Sequence, residues 1–181
     1  MTSLKVEKTN VDQDLSKILT PKVRKEIDHW VKKYPKDQKQ SAVMQALTIV
    51  QDHSVTHSLD NQAILAVANY LEMDPIAVEE VATFYSMYSF EPQGKYRFCV
   101  CDNLSCKMRG SDDIISYLSK KLGIKKGQTT ADGRYSLKTV ECLGACVDAP
   151  MMQLNKDYVA DLNEEKVDQI LEKIQEDESW N

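Results

Sequence analysis

Four of the five cysteines in this 181-residue chain form two close pairs, and this spacing restricts the folds that the chain can adopt. Four residues lie between Cys101 and Cys106, and three lie between Cys142 and Cys146. Each pair follows a stretch in which apolar and polar residues alternate, as they do in a strand with one buried face. If the two strands are neighbours that end at the same edge of a sheet, the four thiols lie together. The pattern therefore favours a fold in which two loops, distant in sequence, form one site.

Charge and composition exclude several classes of protein. The net charge of -5 argues against a nucleic-acid binder, because such proteins usually carry a basic face. No apolar run is long enough to cross a bilayer, so we expect no direct membrane insertion. The segment 1–17 has no apolar signal core, and it mixes acidic residues with lysine while lacking arginine. It is typical of neither a secretory signal nor a mitochondrial presequence.

We therefore expect a reducing compartment, most simply a bacterial cytoplasm. In such a compartment clustered thiols more often bind metal or perform redox chemistry than form structural disulfides.

The first half of the chain is predicted to form helices. Thr20-Pro21 is typical of a capping residue followed by proline at the first helical position. A second helix should begin near Ser41, a third should follow Asp60, and a fourth should begin at Asp74-Pro75. The connections are short, which favours a small antiparallel bundle.

The aromatic segment "TFYSMYSF" at residues 83–90 closes this half. Val81, Ala82 and Tyr85 share one helical face, so we expect the segment to pack into the core. The alternative is a partner-binding surface, because aromatic residues and methionine are enriched at the centres of interfaces.

The turn-rich segment "EPQG" at 91–94 is the predicted boundary between two domains. Beyond it we predict a strand at 95–101, a helix capped by Ser111 and ended by Gly123, a strand at 134–142, a hairpin that turns at residues 155–157, and a helix capped by Asn163.

The predicted fold class is α+β, with a helical bundle at residues 1–92 followed by a thioredoxin-like α/β domain at 93–181. Residues 1–15 are expected to be flexible.

Three uses of four clustered thiols remain open on chemistry alone. A structural zinc ion requires one tetrahedron, and its cysteine pairs usually have two to four residues between them. A thiol oxidoreductase requires Cys-x-x-Cys at a helix N-terminus, a spacing that this chain lacks. A [2Fe–2S] cluster takes four thiolates, two on each iron. Gly144 and Ala145 favour the cluster, because small residues let backbone amides approach its sulfur atoms.

With these motifs the chain resembles the thioredoxin-like [2Fe–2S] ferredoxin family, and within it the E subunits of NADH:quinone oxidoreductase, respiratory complex I. The matching segments are "CDNLSC" at 101–106, "ECLGACVDAPMMQLN" at 141–155 and "VATFYSMY" at 81–88. The resemblance extends from about residue 16 to residue 174.

The resemblance implies that Cys101, Cys106, Cys142 and Cys146 ligate one [2Fe–2S] cluster. It further implies an electron-transfer subunit of the NADH dehydrogenase, with no complete catalytic site of its own. Its partners would be a flavoprotein subunit, which holds FMN and binds NADH, and other subunits of the peripheral arm. That arm would lie on the cytoplasmic face of the bacterial inner membrane. The equivalent subunit of an NAD-linked formate dehydrogenase or hydrogenase is the closest alternative, and a zinc-stabilised interaction protein is a more distant one.

Two further expectations concern this chain itself. Its six glycines form no phosphate-binding loop, so NADH and FMN are expected on the partner rather than here. Cys99 should point to the same sheet face as Cys101, and we expect it to be a small packed residue rather than a ligand.

Overall fold

The computed structural model describes residues 12–176, and this part of the chain forms eight α-helices and one five-stranded sheet. The chain divides into two compact units, Met1–Pro92 and Gln93–Asn181. The first unit is helical and the second contains the sheet, so the predicted α+β class is confirmed. Most of the segment predicted to be flexible, residues 1–15, lies outside the described residues.

The first unit is built from helices whose starts are set by short polar side chains. The amide of Val23 donates to Thr20 Oγ1 at 3.3 Å, and that of Ala63 donates to Asp60 Oδ1 at 2.7 Å, which confirms two predicted helix starts. The helix expected near Ser41 begins with a 3₁₀ turn. The helices are α1 (Asp12–Ile18), α2 (Pro21–Val31), α3 (Val43–His53), α4 (Asn61–Leu71) and α5 (Pro75–Phe84), with the 3₁₀ turn at Lys39–Ala42.

Helix α1 was not predicted from the sequence. It buries Leu15 in a core that Ile27, Leu47, Val67 and Val78 share. Each of these side chains belongs to a different helix, so all five helices contribute to one apolar centre.

The aromatic segment departs from its predicted core position. Helix α5 ends at Phe84, and the backbone of Tyr85 is extended, so the helical periodicity does not continue into the segment. Phe84 is 79% exposed, Met87 53% and Phe90 44%. Tyr88 alone of these aromatic residues is buried, and its hydroxyl donates to the Met44 carbonyl at 2.8 Å. The core-packing prediction is therefore wrong for most of the segment.

The second unit alternates strands and helices. Its elements are β1 (Tyr96–Cys101), α6 (Leu104–Met108), α7 (Ser111–Leu122), β2 (Gln128–Thr129), β3 (Tyr135–Val140), a 3₁₀ turn (Cys146–Asp148), β4 (Met152–Leu154), β5 (Asp157–Val159) and α8 (Glu164–Glu176). The short elements α6 and β2 were not predicted.

Two of the three helix caps predicted for this unit are confirmed. Gly123 ends α7 with φ of 67°, and Asn163 Oδ1 accepts from the amide of Lys166 at 2.8 Å. Ser111 was predicted to cap α7, but it is the first helical residue, and Gly110 occupies the cap with φ of 94°. A left-handed backbone at that position favours glycine.

The sheet has the strand order β2-β3-β1-β4-β5. Strands β1 and β3 are parallel neighbours, and the other pairs are antiparallel. Helix α7 lies between β1 and β3 in sequence, which gives the unit one strand–helix–strand crossover.

Both long helices of this unit pack on one face of the sheet. The alternate β1 residues Tyr96, Phe98 and Val100 are buried in a common core with apolar residues of α7 and α8. The other β1 residues, Arg97, Cys99 and Cys101, therefore point to the opposite face. None of the helices in residues 12–176 combines the length and the apolar character needed to span a membrane.

We expect Phe98→Ala to lower the free energy of unfolding of the second unit by about 3–5 kcal/mol, because it removes a fully buried ring from the sheet core. Phe84→Ala is the matched control, since the same side chain is largely exposed there, and its effect should stay within about 0.5 kcal/mol. Chemical denaturation followed by circular dichroism measures both. Equal losses in the two variants would contradict the assignment of the core.

Candidate metal centre

The parallel pairing of β1 and β3 brings the two cysteine pairs to one edge of the sheet. Cys101, the last residue of β1, is in register with Val140, the last residue of β3. The amide of Asp102 continues the pairing by donating to the Val140 carbonyl at 3.1 Å. Both chain segments leave the sheet here, because parallel strands end at the same edge. This confirms the expectation that the strand ends are neighbours.

The first pair of thiols is buried. Cys101 and Cys106 share an apolar cluster with Ala149 and Met151. The amide of Cys101 donates to the Met151 carbonyl at 3.1 Å, which fixes the end of β1. Cys106 was expected in a loop, but it lies on the short helix α6, whose first amide donates to Asn103 Oδ1 at 2.9 Å. The helix sets Cys106 beside Cys101 with little freedom.

The second pair is exposed. Strand β3 ends at Val140, so Cys142 lies in the following loop rather than at the strand end as predicted, and Cys146 opens the 3₁₀ turn. The Sγ atoms of Cys142 and Cys146 are 3.7 Å apart. The amide of Gly144 donates to Cys142 Sγ at 3.4 Å, and Gly144 has φ of 81°, a conformation that favours glycine. A backbone amide therefore approaches one of the predicted ligand sulfurs, and the expected approach to the sulfur atoms of the cluster stays a prediction.

Burial and neighbouring sulfur atoms raise the pKa of two of the thiols. Burial raises the pKa of Cys106 to about 11, and its hydrogen bond with the Cys101 thiol acts in the same direction. The hydrogen bond with Cys142 raises the pKa of Cys146. Metal ligands must be thiolates, so binding at this site displaces protons.

Side chains outside the cysteine motif connect the two loops. Asn103, two residues after Cys101, donates from Nδ2 to Oε2 of Glu141 at 3.1 Å, and Glu141 directly precedes Cys142. Arg109 Nη1 donates to the carbonyl of Val147 at 3.1 Å, next to Cys146. Sequence reasoning missed both contacts. Asn103, two residues after a strand end, is a recognisable helix cap, whereas nothing in the sequence indicates the partner of Arg109.

The donor set fits a two-iron cluster. Two thiol pairs are what a [2Fe–2S] cluster takes, two on each iron.

Cys99 lies apart from both pairs. It is buried, and burial raises the pKa of its thiol. Cys99 pairs with Lys138 of β3 and Gln153 of β4, two residues back from the edge where the other cysteines meet.

Comparison with known proteins identifies the family of this chain. The family model of the thioredoxin-like [2Fe-2S] ferredoxin matches residues 27–175. The E subunit of the NADH-quinone oxidoreductase of Rickettsia typhi is 46% identical over 147 residues, which cover 81% of this chain and 86% of the relative. The corresponding E 2 subunit of Rhizobium meliloti is 41% identical over 151 residues, covering 83% and 87%.

Solved structures share the fold. The chain superposes on an NAD+-reducing [NiFe]-hydrogenase in the H2-reduced state with a TM-score of 0.64 and 25% identity, covering 79% of this chain. The air-oxidised state gives a TM-score of 0.66 at 23% identity, covering 80%. The match spans only 23% and 25% of the two hydrogenase chains, so it concerns one part of a larger protein.

Fold and family model together define a thioredoxin-like iron–sulfur protein, with the sheet unit following a helical unit. The chain belongs to the thioredoxin-like [2Fe–2S] ferredoxin family, as its motifs indicated. Its curated relatives are subunits of an oxidoreductase.

We expect Cys101→Ala or Cys146→Ala to abolish cluster binding, because each removes one of four thiolates. Cys99→Ala should leave the cluster intact and serves as the matched control in the same strand. Visible absorbance and iron content of anaerobically purified variants measure the outcome. Retained cluster in either of the first two variants, or its loss in the third, would contradict the ligand assignment.

Proposed function

We propose that this chain is the electron-transfer subunit of an NADH:quinone oxidoreductase, respiratory complex I. Its single [2Fe–2S] cluster would be held by Cys101, Cys106, Cys142 and Cys146. The observation that carries the proposal is the convergence of the two thiol pairs at the β1–β3 edge, in a chain 46% identical to the E subunit from Rickettsia typhi. When bound, such a cluster accepts and releases one electron at a time.

The two pairs have different tasks in this proposal. The buried pair, Cys101 and Cys106, anchors one side of the cluster between a central strand and a helix. The exposed pair, Cys142 and Cys146, lies at the protein surface, where electrons can pass to another subunit. A site with one sheltered side and one open side suits a carrier that must hold its cofactor and still reach a partner.

The partner in this proposal is the flavoprotein subunit that holds FMN and binds NADH. Electron exchange requires close contact at the exposed side of the site. Three large apolar side chains on the cysteine-bearing segments support such contact, because Leu104 is 70% exposed, Met108 80% and Val147 84%. Exposed apolar groups that lie together are typical of surfaces that become covered in an assembly. Other peripheral-arm subunits complete the assembly, on the cytoplasmic face of the bacterial inner membrane.

A second candidate is the equivalent subunit of an NAD-linked hydrogenase or formate dehydrogenase. The superposition on the NAD+-reducing [NiFe]-hydrogenase at 25% identity favours it. The subunits that co-purify with the chain from its native source distinguish the two candidates.

We expect the anaerobically purified chain to contain two irons and two acid-labile sulfides, as a [2Fe–2S] protein must. The oxidised protein should be silent in electron paramagnetic resonance, and reduction with dithionite should produce an S = 1/2 signal. Zinc in place of iron, in protein never exposed to air or chelator, would overturn the electron-transfer function.

With the purified flavoprotein subunit, NADH should also produce this signal, whereas the chain alone with NADH should remain silent. A signal from NADH without the partner would overturn the assignment of the NADH and FMN sites to that partner.

A further inference from the structure

We propose that Arg109 is a positioning residue for the cluster, which ties the two cysteine-bearing segments together and offsets the negative charge of the bound cofactor. The inference rests on the proposed function, because it assigns a role toward the cluster that the cysteines would hold. The observation behind it is a hydrogen bond: the guanidinium of Arg109, at the end of α6, donates to the backbone that follows Cys146.

Arg109 is fixed to the first segment through its backbone. It caps the C-terminus of α6, and its amide donates to the Cys106 carbonyl at 3.1 Å. The position of Arg109 therefore depends directly on that of Cys106.

The side chain of Arg109 reaches the second segment. Nη1 donates to the Val147 carbonyl at 3.1 Å and approaches the Ala149 carbonyl at 3.5 Å. Val147 is the neighbour of Cys146, and Ala149 packs in the buried cluster with Cys101 and Cys106. One side chain thus connects a buried ligand to the backbone beside an exposed one.

This connection supports the part of the site that the sheet does not fix. The contacts of Asp102 with Val140 and of Asn103 with Glu141 hold the segments together beside Cys101 and Cys142. Cys146 lies six residues after the end of β3 in sequence, after the left-handed Gly144 and at the start of a three-residue 3₁₀ turn. The hydrogen bonds from Arg109 hold the backbone on the C-terminal side of Cys146.

The charge of Arg109 has a separate effect. Four thiolates make an oxidised cluster anionic, and the electron that reduces it adds one more negative charge. The same segments also carry the carboxylates of Asp102, Glu141 and Asp148. The positive charge of the Arg109 guanidinium favours the reduced state and raises the reduction potential. Lys107, a cation within α6, instead has its Nζ 3.8 Å from Oδ1 of Asp112.

The test uses the full chain with Arg109→Gln, Arg109→Lys and the matched control Arg134→Gln. Arg134 makes the same kind of bond, from Nη2 to the Ile174 carbonyl at 3.1 Å, but it precedes β3 and so lies at the opposite edge of the sheet. Three measurements are made on each protein: the rate at which a chelator removes iron, the potential of the one-electron reduction, and amide hydrogen exchange in the cofactor-free chain.

We expect Arg109→Gln to release iron about 10–100-fold faster than the wild type, in proportion to the loss of metal affinity that follows removal of a group orienting the ligands. Its reduction potential should shift to a more negative value. Arg109→Lys keeps the charge but not the paired geometry, so its potential should return toward the wild-type value while iron release remains fast. Arg134→Gln should change neither quantity.

In the cofactor-free chain, amides of residues 143–149 should exchange faster in Arg109→Gln than in Arg134→Gln, because the segment has lost its link to α6. If Arg109→Gln and Arg134→Gln release iron at the same rate and exchange these amides at the same rate, the inference is overturned and the proposed function is left intact. A wild-type chain that binds no iron would instead overturn the proposed function. If the reduction potential of Arg109→Gln equals that of the wild type, the part of the inference that concerns the charge of Arg109 is overturned.

Discussion

The parallel pairing of β1 with β3 is the interaction on which the site depends. In an antiparallel pair, the ends of the two strands would lie at opposite edges, and the cysteine pairs would be separated by the length of a strand. The parallel pair instead places Cys101 opposite Val140, so that both loops start from one edge. Helix α7 is the crossover that this arrangement requires, and it shares an apolar core with β1 and β3.

Much of the architecture was predictable because local signals and tertiary packing agree. Thr20, Asp60 and Asn163 cap helices as their side chains suggest, and the turn at Asn155 joins β4 to β5. The elements that were missed are short. Helix α6 has five residues and β2 has two, too few for periodicity to distinguish them from loops, and they form because neighbouring segments hold them.

The four thiols of the candidate site could be singled out from the sequence, but the contacts that support them could not. Cysteine spacing singles out Cys101, Cys106, Cys142 and Cys146 as two pairs, and the resemblance to the family implies that they are ligands, which stays a prediction. The contacts of Asn103 and Arg109 join residues far apart in sequence, and a single sequence contains no record of such pairings. The core-packing prediction for the aromatic segment was wrong for a related reason. Its helix ends at Phe84, and no residue there signals the stop as glycine or proline would.

The strand order also governs when the site can exist during synthesis. Strand β1 is central, with β3 on one side and β4 on the other, and both neighbours are made after it. A chain emerging from the ribosome exposes Cys101 and Cys106 before either neighbour is available. The four thiols of the candidate site come together only once the segment through Leu154 has emerged and paired. A cluster bound by all four thiols therefore requires the sheet to form first.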